Sequence, residues 1–148
     1  MTISNTIALL DTNVLVYAAD EASPFHRRSR DLRNRGLNGQ ISLCICPQVL
    51  IEFFAIITDP RRVENPREPK EAIEEMEKYL LSKNIIKIYP KEETLRRTID
   101  LLKKYNLKRQ KAFDAQLVAT MLSNGVKRIY TFNQEDFSKF EEIEVFTP

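Results

Sequence analysis

Four short apolar runs, residues 7–11, 41–46, 85–89 and 128–132, alternate with helical stretches, and this alternation limits the possible folds more than any other feature. The runs are rich in Ile, Leu and Tyr and read as buried strands. Residues 12–19 stay apolar and turn into a helical segment. Pro24 opens a helix through about Arg35, with Gly36 placed to close it. Pro47 starts a helix over residues 48–58, which stops before Asp59-Pro60. Residues 61–69 are polar and proline-bearing and read as a loop. Residues 70–82 are expected to be helical, with Ile73, Met76 (or Glu77) and Leu80 on one stripe. Residues 91–105 form a further helix with Leu95, Ile99 and Leu102 inside, and residues 112–123 another, closed by Asn124-Gly125. Residues 143–146 offer a fifth strand. Strands alternating with helices predict an α/β fold with a central, mostly parallel sheet. Right-handed crossovers would put helices on both faces, a three-layer α/β/α sandwich. With 148 residues, one domain spanning 1–148 is expected.

Three acids stand in apolar company. Asp11 is the only charged residue in 1–19, Glu52 the only one in 41–58, and Asp114 the only one in 112–124. Glu52 has apolar neighbours nearly all round its helix, which implies burial on most sides. An unpaired buried carboxylate costs several kcal/mol or takes up a proton, so it needs a partner: a metal ion, an Arg or a hydrogen-bond network. Each acid also has an ordinary explanation. Asp11 suits the turn after a strand. Glu52 fits the one solvent-facing position of its helix. Asp114 fits the positive end of a helix dipole. Three such acids on three elements of one domain favour a shared cleft at the carboxyl ends of the strands.

Carboxylates without several His or Cys suit hard ions, Mg²⁺ or Mn²⁺, which activate water and bind phosphoryl oxygens. His26 is the only histidine, which argues against multi-His zinc sites. Cys44 and Cys46, the only cysteines, are too close along an extended strand for an ordinary bridge and read as small core residues. The three glycines, Gly36, Gly39 and Gly125, build neither a phosphate-binding loop nor a dinucleotide fingerprint. Apolar runs are too short to span a bilayer, and no basic-then-apolar leader is evident, so a cytoplasmic protein is expected. The net charge of +2 permits a nucleic-acid substrate without indicating one.

Four motifs, in order, resemble those of PIN-domain nucleases: residues 10–17 (Leu10-Asp-Thr-Asn), 47–54 (Pro47 to Phe54, around Glu52), 113–117 (Phe113-Asp-Ala) and 130–137 (Tyr130-Thr-Phe-Asn). They most resemble VapC-type toxins of toxin–antitoxin pairs. The resemblance implies an α/β/α sandwich and Mg²⁺- or Mn²⁺-dependent hydrolysis of RNA by activated water. It implies Asp11, Glu52 and Asp114 as metal-site acids and Asn13 and Thr131 as supporting residues. Where many relatives carry Asp in a T-x-D motif this chain has Asn133, with Asp136 three residues later. Either completes the site at this point, and one metal or two remains open. The resemblance also implies a homodimer and an inhibitory antitoxin protein. That partner is pictured as partly disordered, with a cation near apolar anchors to fill the acidic cleft.

Basic residues crowd the chain just before Asp114. Lys108, Arg109 and Lys111 are expected to grip the RNA backbone; Arg27, Arg28 and Arg30, and Arg61, Arg62 and Arg67, form two further clusters. Phe53, Phe54, Ile56, Ile57 and the 15–17 run call for cover that a two-fold interface would supply. A dehalogenase-like phosphatase would need a second Asp at Asn13, and a receiver domain an Asp after the third strand; neither is present. A silent PIN fold that only binds RNA or protein and a free-standing RNA-processing nuclease are the alternatives.

Overall fold

The computed structural model describes residues 6–148. The chain runs β1 (Ala8–Leu10), α1 (Thr12–Ala19), α2 (His26–Leu37), β2 (Leu43–Ile45), α3 (Pro47–Ile57), α4 (Pro69–Leu81), β3 (Ile85–Lys87), α5 (Thr94–Tyr105), α6 (Lys111–Ser123), β4 (Arg128–Tyr130), α7 (Gln134–Phe137) and β5 (Glu144–Phe146). The strands form one sheet in the order β3-β2-β1-β4-β5. Every pairing is parallel, with Ala8 opposite both Leu43 and Arg128. Helices flank the sheet, which is the expected layered α/β architecture.

The strand order decides where a site can form. From β1 the chain winds outward through β2 to β3, then returns to place β4 on the other side of β1. The winding direction reverses at β1, and the carboxyl end of a strand at such a reversal opens a crevice. Asp11 follows β1 directly.

Local chemistry explains several helix ends. Asp11 caps α1 by accepting from Thr12 N. Pro47 stands at the start of α3. Glu68 and Glu71 form a reciprocal capping box on α4. Asn106, at φ 50°, ends α5. Gly36 does not close α2. It lies inside the helix, where a Cβ would meet Leu43 Cδ1 at 2.5 Å, so the absent side chain lets α2 approach the sheet.

Three packing expectations change. Ile73 and Leu80 of α4 are exposed, and Ala72 and Tyr79 are the residues it buries. Leu95 of α5 is exposed, and Thr94, Thr98 and Leu101 face inward. On α3, Val49, Leu50, Phe53 and Ile57 are buried, but Ile51 is 63% exposed and Glu52 is also exposed. Glu52 is therefore on the open side of its helix, not sunk in the core. Phe53, Ile57, Leu15 and Val16 are covered by the chain's own core and need no second subunit. Cys44 and Cys46 are free and buried, as expected.

Candidate active site

Asp11 is 7% exposed and braced from three directions. Its Oδ1 accepts from Thr12 N at 2.8 Å. Its Oδ2 accepts from Thr131 Oγ1 at 2.8 Å and from Asn13 Nδ2 at 3.2 Å. Thr131 is fully buried; besides donating to Asp11 it accepts from Asn133 N at 2.9 Å and Asn13 Nδ2 at 3.2 Å. Asn13 Oδ1 in turn accepts from Phe132 N at 3.2 Å. The residues after β1 and after β4, adjacent in the sheet, are thus stitched together around one carboxylate.

Glu52 approaches from α3. Its Oε2 accepts from Thr12 Oγ1 at 3.0 Å, and its Oε1 from Gln48 Nε2 at 3.2 Å, one turn earlier. Gln48 also reaches the Phe113 carbonyl at 3.3 Å, tying α3 to α6. Asp114 stands in the first turn of α6, half-exposed. Asp11, Glu52 and Asp114 line one cleft of about 410 Å³ with Gln48, Gln110, Phe113 and Leu117. Three acids that are far apart in the chain therefore share one wall-to-wall space.

The electrostatics record their proximity. Burial pushes the Asp11 carboxyl up; the Thr131 and Thr12 hydrogen bonds oppose this, and Glu52 and Asp136 add to it. Asp114 is pushed up to about 6, first by burial, then by the charges of Asp136 and Asp11, with Lys139 and Lys111 pulling the other way. Asp136, half-buried on α7, is thus the fourth acid within reach of both. Asn133 is exposed, and it is its backbone N–H that meets Thr131.

Of the basic residues named from sequence, Lys108 and Arg109 are exposed on the loop before α6, and Lys111 begins that helix beside Asp114. Sequence reading missed Lys139. Partial burial and the adjacent Lys111 ammonium lower its pKa, and it faces Asp114 and Asp136. No charge pattern marks it, because only the turn of α7 before it brings it near Lys111 and Asp114. His26 is not in the cleft; its Nδ1 donates to the Tyr17 carbonyl at 2.8 Å.

Among the described residues, no three His, Cys, Asp or Glu groups are already gathered at ligand spacing. The donor set nonetheless fits a hard divalent ion. Mg²⁺ keeps several of its waters and takes only one or two carboxylates directly. Three carboxylates lining an open cleft without His or Cys, and a fourth at Asp136 near enough to act on two of them, match that chemistry.

The model of the PIN domain matches residues 8–143. The chain belongs to the PIN-domain family. It is 30% identical to ribonuclease VapC48 of Mycobacterium tuberculosis over 142 residues, which cover 93% of this chain and 94% of that protein. The fold of this PIN domain is also similar to that of VapC20 of Mycobacterium tuberculosis, described as a sarcin-ricin loop cleaving toxin. There the TM-score is 0.67 at 16% identity, with 93% of this chain and 98% of that one covered. VapBC2 from Rickettsia felis, solved bound to a DNA fragment from its promoter, gives a TM-score of 0.65 at 16% identity, covering 96% and 98%. In this PIN domain the braced Asp11 and the acids opposite it occupy the crevice that the strand order opens.

Proposed function

We propose that this PIN domain is a ribonuclease that hydrolyses RNA phosphodiester bonds with the help of Mg²⁺ or Mn²⁺, and that it is the toxin of a toxin–antitoxin pair in the cytoplasm. The observation that carries this reading is the convergence of Asp11, Glu52 and Asp114 on one cleft, with Asp136 beside them. Similarity to ribonuclease VapC48 supports the RNA substrate.

Asp11, Glu52, Asp114 and Asp136 would hold the ion. Such an ion, when bound, polarises a phosphoryl oxygen and makes water nucleophilic at neutral pH. The chain's own contribution is positioning. Thr131, Thr12 and Asn13 hold the Asp11 carboxylate in one orientation, so little reorganisation remains when substrate arrives. Thr12 couples that orientation to Glu52. Lys111 and Lys139 lie on the Asp114 side, where ammonium groups offset the charge of an incoming phosphate. Lys108 and Arg109 extend that basic margin into the preceding loop.

Partner binding is part of the proposal. Ile51, Leu80, Tyr89 and Phe113 are exposed large apolar residues. Ile51 and Phe113 adjoin Glu52 and Asp114 in sequence and line a second hollow that shares Glu52 with the cleft. A homodimer through this face would cover that surface and set two clefts side by side. An antitoxin with a guanidinium beside apolar anchors would close the acids off from RNA.

The test is cleavage of single-stranded RNA by purified protein after chelation, with Mg²⁺ or Mn²⁺ restored, and with Asp11→Asn as control. Cleavage that returns with the ion and is absent in the variant is expected. Equal cleavage by the variant, or full activity under excess chelator, overturns the reading.

A further inference from the structure

A second feature is built on the segments that brace Asp11 and is not used by the cleavage chemistry. Tyr17 of α1, Phe25 just before α2 and Phe132 just after β4 meet in one aromatic cluster. Ring centroids are 5.3 Å apart for Tyr17–Phe25, 5.2 Å for Tyr17–Phe132 and 4.7 Å for Phe25–Phe132. All three rings are only half-buried. The Arg28 guanidinium is seated over two of them, 5.4 Å from the Phe25 centroid and 5.5 Å from that of Phe132.

Among the arginines of α2, Arg28 is the one seated over aromatic rings; Arg27 and Arg35, like Arg28, form no ion pair with any described residue. Arg30 pairs with Asp31, and Arg33 pairs with Glu75. Arg28 is exposed and has neither an ion pair nor a hydrogen bond with any described residue. Its only contacts of this kind are the two ring faces. A guanidinium seated over aromatic rings and otherwise unpaired keeps its N–H groups and its outer side available.

The backbone that carries the rings is held. Phe25 N donates to Ser23 Oγ at 3.1 Å, and His26 Nδ1 anchors the Tyr17 carbonyl at 2.8 Å. Phe132 N donates to Asn13 Oδ1, and Asn13 Nδ2 donates to Asp11 Oδ2, each at 3.2 Å. One side chain, Asn13, therefore links the aromatic cluster to the most deeply held acid. Phe132 also directly follows Thr131, which donates to Asp11, so adjoining residues carry the aromatic cluster and the braced acid.

We propose that Arg28, backed by Phe25 and Phe132, forms a nucleobase subsite in which one unstacked base of single-stranded RNA, beside the scissile phosphate, stacks on the guanidinium. This rests on the ribonuclease reading. Every base has a π-face, so such a stack binds strongly while reading sequence weakly. The free N–H edge of Arg28 can meet the adjoining phosphate.

The test uses a labelled single-stranded RNA under chelation, so that binding is read by anisotropy without cleavage, and a set of the same RNA with one abasic position each. The cleavage site in that RNA is mapped separately with the ion present. Wild type should lose affinity at one abasic position flanking that site, roughly tenfold. Arg28→Ala should bind intact RNA roughly tenfold more weakly and no longer sense that position. Arg28→Lys keeps the charge without the planar face; it should resemble Arg28→Ala in the abasic series while keeping the wild-type salt dependence. An Arg28→Ala protein that binds as wild type, or an Arg28→Lys protein that retains the abasic response, overturns the subsite. So does a variant that binds RNA normally but loses capture of an antitoxin. Wild type that neither binds nor cleaves RNA overturns the ribonuclease reading itself; wild type that cleaves, with Arg28→Ala behaving identically, overturns the subsite alone.

Discussion

On one wall of the cleft Asp11 is buried and accepts three hydrogen bonds, from Thr12, Asn13 and Thr131. On the facing wall Asp114 is half-exposed and has no hydrogen-bond donor among the described residues. Both carboxyls are pushed upward by burial and by acidic neighbours, but only Asp11 has hydrogen bonds to offset this. The difference separates two duties. The braced wall sets geometry, and the unbraced wall stores the repulsion that a cation or a proton relieves.

The sharpest way to break this comparison is to neutralise each acid in turn. Asp11→Asn should abolish cleavage, beyond the roughly 10–100-fold cost of losing a supporting residue. Repulsion alone predicts that the ion-free variant melts higher. The hydrogen bonds predict the reverse, because an Asn at this position turns one NH₂ toward groups that all donate or are already engaged. Asp114→Asn loses no such bond and should melt higher than wild type without metal. Thermal melts of both variants under chelation decide the matter. Shifts of the same sign would erase the distinction between the walls.

Thr131→Val comes next. It keeps the buried shape but withdraws a hydroxyl that contacts Asp11, Asn13 and Asn133. A buried group left unsatisfied costs about 1–3 kcal/mol, which lowers the melting temperature by several degrees in a chain of this size. Cleavage should fall roughly 10–100-fold, through misplacement of Asp11 and not through loss of a ligand. Wild-type kcat together with the expected melting shift would show that Asp11 needs no brace.

How much of this was legible beforehand follows from what each segment depends on. Recurrent apolar runs at residues 7–11, 41–46, 85–89 and 128–132 mark strands because a fully buried parallel strand has no polar face to confuse the pattern. The buried face of α3 was not legible, since Ile51 and Ala55 are apolar yet exposed. Ile73, Leu80 and Leu95 misled for the same reason: apolar side chains mark a surface to be covered, not which surface covers it. Gly36 looked like a helix stop, and only the packing of α2 on Leu43 explains it. The lone acids at 11, 52 and 114 stood out against apolar surroundings. Asp136 was reached only through the family resemblance, and Lys139 not at all, because their segment is polar and α7 is a single turn of four residues with no periodicity to read.

A pH series measures the repulsion on the open wall directly. Asp114 titrates near 6 in the folded protein against an ordinary 3.8. Between these values the folded state retains a proton that the unfolded chain has released. Stability then falls as pH rises through this window and levels off above it. The ion-free protein should therefore melt higher at about pH 5 than at about pH 7, by a few degrees. Asp114→Asn should flatten much of that slope, leaving the part due to Asp11, whose shift has the same sign. A wild-type slope unchanged by the substitution would place the strain elsewhere.

The smallest effect distinguishes Asp136 from Asn133. Asn133 stands in the motif position where an acid would be expected from the family resemblance, but it is exposed and contributes its backbone N–H to Thr131. Asp136 is half-buried and close enough to Asp11 and Asp114 to raise both. The one-turn helix α7 begins directly after Asn133 and places Asp136 near Asp11 and Asp114, so an acid three residues later can do the work of the missing one. Asn133→Asp, at an exposed position, should leave cleavage close to wild type. Asp136→Asn should weaken both cleavage and the melting shift produced by added Mn²⁺. If Asn133→Asp accelerates cleavage strongly while Asp136→Asn does nothing, the fourth acid is missing from this chain. The open wall would then consist of Glu52 and Asp114 alone.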